Sequence, residues 1–204
     1  MALINMFPQG GGSGGGDNRY TEWGSLITNP FGVTGIHNIA NVNGIAIAVG
    51  DSGKIARSSD NGLTWGNLVT NPFENSIITG IANVNGVAIA VGYSGGIARS
   101  TDNGLTWESL IANPFEIGII FGIANINGVA IAVGSGGKIA RSTDNGLTWG
   151  SLIANPFEIG TISGIANMNG VAIAVGGSKI ARSTDNGLTW GSLITNPFGA
   201  STIS

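Results

Sequence analysis

The stretch Ser100-Thr-Asp-Asn-Gly-Leu-Thr-Trp107 decides how this chain folds, because it is written four times almost letter for letter. It stands as Ser58-Ser-Asp-Asn-Gly-Leu-Thr-Trp65, and again from Ser142 to Trp149 and from Ser183 to Trp190. Counting Trp23, the five tryptophans follow one another at intervals of 42, 42, 42 and 41 residues. A period of about 40–50 residues suits a unit of four short strands. Helical repeats of similar length would need apolar residues at i, i+3 and i+4, and these units lack that pattern.

Working outward from the octapeptide gives the rest of the unit. Ile77–Val84 is β-branched and ends at Asn85-Gly86, a strong short-hairpin signal. Val87-Ala-Ile-Ala-Val91 places large side chains on one face and alanines on the other. Gly92–Gly96 turns the chain, Ile97-Ala-Arg-Ser100 is a third strand, and Asp102-Asn-Gly104 turns it again. Leu105–Ala112 is expected as the fourth strand, broken by Asn113-Pro114. The second strand is apolar on both faces, which suits a sheet packed between two others.

The motif Ser-x-Asp-x-Gly-x-Thr-Trp resembles the Asp-box (BNR) repeat of sialidase-like β-propellers. A damaged fifth copy lies at Asp17-Asn-Arg-Tyr-Thr-Glu-Trp23. The resemblance covers nearly everything after Gly16 and implies an all-β propeller of about four to five four-stranded antiparallel blades, each of ~42 residues. Its structural residues would be Asp60, Gly62 and Trp65, then Asp102, Gly104 and Trp107, Asp144, Gly146 and Trp149, and Asp185, Gly187 and Trp190. The Asp carboxylate would accept N–H bonds within its own turn, and Gly would take φ > 0. Trp would be buried beneath the turn, where truncation to Ala costs about 3–5 kcal/mol.

Residues 17–204 make roughly 4.5 repeats. Four complete units run from Phe31 to about Thr195, with an extra fourth strand at Tyr20–Thr28 ahead and half a first strand at Ser201–Ser204 behind. Trp23-Gly-Ser-Leu-Ile-Thr-Asn-Pro-Phe-Gly32 recurs unchanged as Trp190–Gly199. A spare apolar strand is a template for pairing. It could insert into another chain by strand addition or clasp its own ring, or the sequence boundary could simply fall inside a unit. Residues 1–16 form a separate region in which Pro8-Gln-Gly-Gly-Gly-Ser-Gly-Gly-Gly16 tethers the apolar Met1–Phe7. That region is expected to serve as an anchor or as a tail without structure.

Composition narrows the chemistry. Of 204 residues, 36 are glycine, only 9% are charged, and the formal net charge is −3. Without a basic block, nucleic-acid binding is not expected. The absence of cysteine and the single histidine remove disulfides, thiolate metal sites and zinc clusters from consideration. The octapeptide has too few well-spaced oxygens for a calcium loop. No cofactor or metal is expected, and no run approaches a membrane-spanning length. Without a secretory leader, the chain is expected to be made in the cytoplasm and to reach a virion or another extracellular assembly by a different route.

An enzyme of the sialidase kind would need an arginine cluster, a tyrosine nucleophile paired with glutamate, and an acid/base aspartate. Arg57, Arg99, Arg141 and Arg182 instead recur at one place in every unit, so they read as framework, pairing within each blade. Gly136-Gly-Lys138 fails as a phosphate loop, since Ala132 and Ile139 occupy the required glycine and hydroxyl positions. No catalytic residue is therefore assigned.

The repeats differ at two places. One is the turn after the second strand, with Asp51, Tyr93, Ser135 and Gly177; the other holds Gly32, Glu74, Glu116 and Glu158, followed by His37, Thr79, Phe121 and Ser163. In a propeller both open on the face opposite the Asp boxes. Asp51, Tyr93, Glu74, Glu116, Glu158, His37 and Phe121 would then mark a binding face, with a glycan as its ligand, although neutral drift in tolerant loops explains the same variation. The expected function is a non-enzymatic structural or adhesive subunit of an extracellular or viral assembly, for example of a bacteriophage. Contacts between copies would use the spare strand and the N-terminal segment. The alternative is a lectin-like, glycan-binding propeller.

Overall fold

The computed structural model describes residues 30–66, 72–109, 114–151, 156–191 and 194–195. Each repeat folds as an antiparallel meander. The first sheet holds β1 (Ile36–Val42), β2 (Ile45–Gly50) and β3 (Ile55–Ser58), with Gly66 bridged to Arg57 where a fourth strand would begin. The second holds β4 (Ile78–Val84), β5 (Val87–Gly92), β6 (Ile97–Ser100) and β7 (Glu108–Ser109). The third holds β8 (Ile120–Ile126), β9 (Val129–Gly134), β10 (Ile139–Ser142) and β11 (Gly150–Ser151). The fourth holds β12 (Gly164–Met168), β13 (Val171–Gly176), β14 (Lys179–Ser183) and β15 (Ile194–Thr195).

The first hairpin of each sheet turns on Asn-Gly with both residues at positive φ, as at Asn85 (52°) and Gly86 (85°), the geometry that matches strand twist. The fourth strand starts later than the expected Leu105, at Glu108, because Leu105 and Thr106 are held in the octapeptide turn by Asp102. The damaged motif at Asp17–Trp23, the spare strand Tyr20–Thr28, the tether 1–16 and the half strand Ser201–Ser204 lie outside the described residues.

The alternation of large and small side chains on the second strand dictates the packing. Val42, Ile47, Val49 and Ile55 of the first sheet meet Ala88, Ala90 and Ala98 of the second, with Phe73 and Ile78 filling the junction. Ile89, Val91 and Ile97 meet Ala130, Ala132 and Ala140 in the same way, and Ile131, Val133 and Ile139 meet Ala172, Ala174 and Ala181. Each sheet therefore offers an aliphatic face forward and an alanine face backward. Phe115 and Phe157, 0% and 1% exposed, occupy the two later junctions. The tryptophans are only partly buried against these clusters, less than the sequence suggested.

First strands of neighbouring sheets lie side by side, β1 on β4, β4 on β8 and β8 on β12, which places them innermost. Among the described residues no strand of the first sheet packs closely on the fourth, and parts of the two end faces are exposed. Ile36 and Ile39 are 47% and 58% exposed where Ile78 and Ile81 are 0% and 5%. Met168 is 65% exposed where Val84 and Ile126 are fully buried.

Candidate functional site

The octapeptide turn is built by its own side chains. Ser58 Oγ donates to Asp60 Oδ1 at 2.7 Å and accepts the Gly62 N–H at 2.9 Å. Asp60 Oδ1 also accepts the Thr64 N–H at 2.9 Å, while Thr64 Oγ1 donates to Oδ2 at 2.5 Å. The same set recurs at Asp102, Asp144 and Asp185. Hydrogen bonds from the Thr hydroxyl and amide hold the carboxyls of Asp60 and Asp185 down at about 2. At Asp102 and Asp144 burial opposes ionisation, yet the Thr and Ser donors together outweigh it, again to about 2. The expected residues are thus all in the turn, and each carboxylate is occupied by it. Trp107 and Trp149 close the turn by donating Nε1–H to the carbonyls of Gly104 and Gly146 at 3.2 and 3.1 Å.

At the other end of the sheets the variable residues meet the chain entering each first strand. Asp51 and its counterparts begin the turn after the second strand, and the Asp51 N–H donates to Gly35 O at 3.0 Å. The Asp51 carboxylate takes His37 Nε2 at 2.7 Å and the Gly35 N–H at 2.8 Å, and these two bonds, His37 first, lower its pKa. This pair is accessible, with side chains 39% (His37) and 33% (Asp51) exposed. Ser135 does the corresponding work in the third sheet, its Oγ accepting the Ile119 N–H at 2.9 Å. Tyr93 is exposed at this position, while Phe121 sits half-buried in β8. Of the seven variable residues proposed for a binding face, the structure directly joins only His37 and Asp51.

The three glutamates belong to the connections between sheets. Lys138 Nζ bonds both the Phe115 carbonyl (3.4 Å) and Glu116 (3.3 Å), and Lys179 lies 3.9 Å from Glu158. Lys54 likewise caps the Phe31 carbonyl at 2.7 Å. In the second sheet Gly96 replaces that lysine, so Glu74 has no lysine opposite it. All three glutamates have positive φ, 53°, 56° and 59°, at the place where the first repeat has Gly32. Glu74→Gly is expected to stabilise the fold by about 0.5–1 kcal/mol, since left-handed backbone penalises a Cβ. Glu116→Gly should gain less, because it also loses the exposed Lys138 pair, and urea midpoints of the two variants check the difference.

The arginines correct the sequence reading. Arg57 Nε donates to the Asn103 carbonyl at 2.7 Å and Arg141 Nε to that of Asn186 at 2.8 Å, so they join one sheet to the next rather than bonding within a blade. Arg99 alone follows the expectation, reaching Glu108 in its own sheet at 3.4 Å. Two asparagine series that sequence reasoning missed have the same role. Asn83, Asn125 and Asn167 donate back to the carbonyls of Asn41, Asn83 and Asn125 at 2.9, 2.9 and 2.7 Å. Asn43, Asn85 and Asn127 donate forward to Asn103, Asn145 and Asn186 Oδ1, each at 2.8 Å. The signal for the first series was an asparagine repeated at a strand position that a propensity argument disfavours. The second series sits in the Asn-Gly hairpin turns, where a local reason already accounts for asparagine.

No family model matches the chain, and no curated protein matches it. Solved structures do. YCF48 bound to D1 peptide superposes with a TM-score of 0.64 at 21% identity, over 79% of this chain and 55% of that one. An ancestral GH74 enzyme gives 0.65 at 18%, over 84% and 25%, and the RRP9 WD40 repeats give 0.66 at 10%, over 84% and 53%. The chain thus spans about half the length of YCF48 and RRP9 and a quarter of the GH74 enzyme. These neighbours are β-propeller proteins, and four antiparallel sheets packed in series, innermost strands side by side, have the fold of a row of propeller blades.

Proposed function

We propose that the protein is a non-enzymatic structural or adhesive subunit, built as an Asp-box propeller, of a larger extracellular or viral assembly. The observation that carries this reading is the pair of bare end blades, each exposing a face that the two inner blades bury. Such faces need a partner. The repeated charged groups support it as well: the four octapeptide aspartates are occupied by their own turns, and Arg57 and Arg141 by the next blade. Val33, Ile117 and Ile159, 105%, 90% and 90% exposed, add apolar contact points beside the variable end. A structural neighbour that holds a peptide is in keeping with a propeller used for protein contact.

In this reading the spare fourth strand at Tyr20–Thr28 adds to a sheet edge of another copy. Native mass measurement of the full chain tests it. Species heavier than 20.5 kDa are expected, and Ile27→Pro, which removes a ladder donor, should reduce those held by strand addition. A monomer at every concentration overturns the assembly reading. The second reading, a glycan-binding module, is favoured by the exposed His37–Asp51 pair at the same end as Tyr93. Binding on a glycan array, abolished by Asp51→Ala, supports it; an array without a hit removes it.

A further inference from the structure

We infer that two copies of this chain close one ring of eight blades, the fourth blade of each copy docking on the first blade of the other. The inference rests on the assembly reading above and adds the faces, the register and the number of copies. The three junctions inside the chain share their isoleucine and asparagine fittings, and an arginine bond joins the first and third of them. Among the described residues both halves of a further junction stand unused at the two ends.

The aliphatic fitting comes first. A Cβ on Gly104 would lie 2.7 Å from Ile47 Cδ1, one on Gly146 2.6 Å from Ile89 Cδ1, and one on Gly187 2.5 Å from Ile131 Cδ1. An isoleucine of each blade therefore fills the hollow over the octapeptide glycine of the next. Among the described residues Gly62, the corresponding hollow of the first blade, has nothing within 4 Å, and Ile173, the corresponding isoleucine of the fourth, is only half-buried. The same holds nearer the axis. Gly80 faces Ile123 and Gly122 faces Ile165, whereas Gly164 meets only Val175 of its own blade and Ile39 stands 58% exposed.

Polar fittings agree. Asn43, Asn85 and Asn127 each donate to a Gly carbonyl and an Asn Oδ1 of the following blade. Among the described residues Asn169, next in that series, makes no such bond, while Gly44 and Asn61 of the first blade hold the matching acceptors unused. Arg182, the counterpart of Arg57 and Arg141, is exposed, and the Asn61 carbonyl is the acceptor its register calls for. The two ends are therefore complementary but unlike: the fourth blade offers Ile173, Asn169, Arg182 and the hollow at Gly164, and the first offers the hollow at Gly62, the Gly44 and Asn61 acceptors and Ile39. Because the two ends differ, each contact is head-to-tail, and a two-fold rotation makes two such contacts that close on themselves. Four blades from each copy give eight, within the usual range of propellers of about four to eight blades.

Sedimentation equilibrium of the full chain, with Ile39→Lys, Arg182→Ala and Ile27→Pro, tests this. Wild type should show twice the 20.5 kDa chain mass and no larger closed species. Ile39→Lys places a charge against Gly164 of the other copy but on an exposed site of the monomer, so it should abolish the dimer with an unchanged far-UV spectrum. Arg182→Ala removes one charge-assisted bond per junction and should raise the dissociation constant by about tenfold or more. Ile27→Pro should leave the dimer intact. A dimer lost in Ile27→Pro but kept in Ile39→Lys overturns the ring and leaves strand-borne assembly standing. A wild-type monomer overturns both, and a ladder of three or more copies sensitive to Ile39→Lys overturns closure at two.

Discussion

Phe115→Ala is expected to lower the stability of the chain by about 3–5 kcal/mol, read as a drop in the urea midpoint with little change in slope. Phe115 is fully buried in the junction between the second and third blades, among Val84, Ile89, Val91, Ile97 and Ile120. Its ring also lies against the turn after β9, where a Cβ on Gly134 would come within 2.9 Å of Cε1. Neighbours of this kind cannot collapse into the void, because β8 and β9 are fixed by their own ladder. A typical domain holds only about 5–15 kcal/mol in reserve, so this single truncation should consume a large part of it. Phe31→Ala gives the internal comparison. Phe31 is as buried, at 1%, but packs in a small cluster with Ala48, Ala56 and Trp65 on an end blade, and its loss should cost less. Equal losses at the two positions would mean that the end blade is as tightly held as the inner ones.

Phe115 also shows what the sequence made legible. Strand order, the Asn-Gly hairpins, the octapeptide turn and the two-faced second strand follow from local rules, since turn chemistry and side-chain alternation act within a few residues. The partner of Phe115 was not legible. It follows a proline that reads as a strand breaker, and only the packing of one blade on the next gives its ring a place. The arginines and asparagines failed for a related reason. Near-identical repeats leave the sequence silent on whether Arg57 meets the octapeptide of its own blade or of the next, and the bond to Asn103 decides for the next. The glutamates at positive φ were read as candidates for binding because they vary, whereas their backbone position is one where the first repeat uses glycine. At the variable end the sequence places seven residues on one face, and which of them touch, His37 and Asp51, follows from the way the turn after β2 meets the chain entering β1.

The chain should lose stability as pH falls from about 4 toward about 2, while its urea midpoint stays nearly flat above about pH 5. The sign follows from the four octapeptide aspartates. Each has a folded pKa of about 2 against an ordinary value of 3.8, so the unfolded chain binds protons first as the solution is acidified. Their contribution is complete above the unfolded value and disappears as pH passes down through the folded one. Asp51, whose carboxyl is lowered by His37 and then by the Gly35 N–H, acts in the same direction. Protonation also turns an acceptor oxygen into a donor facing the Ser and Thr hydroxyls and the Thr N–H, so the turn loses bonds as it loses charge. Asp144→Ala isolates one such turn. It should cost about 1–3 kcal/mol at neutral pH, because the Thr148 N–H and both hydroxyls lose their acceptor. The same variant should show a shallower acid limb than wild type, since one of the four titrating groups is gone. A wild-type curve that is flat to pH 2 would mean that these carboxylates bond no better in the folded chain than in the unfolded one, and the account of the octapeptide turn would fall with it.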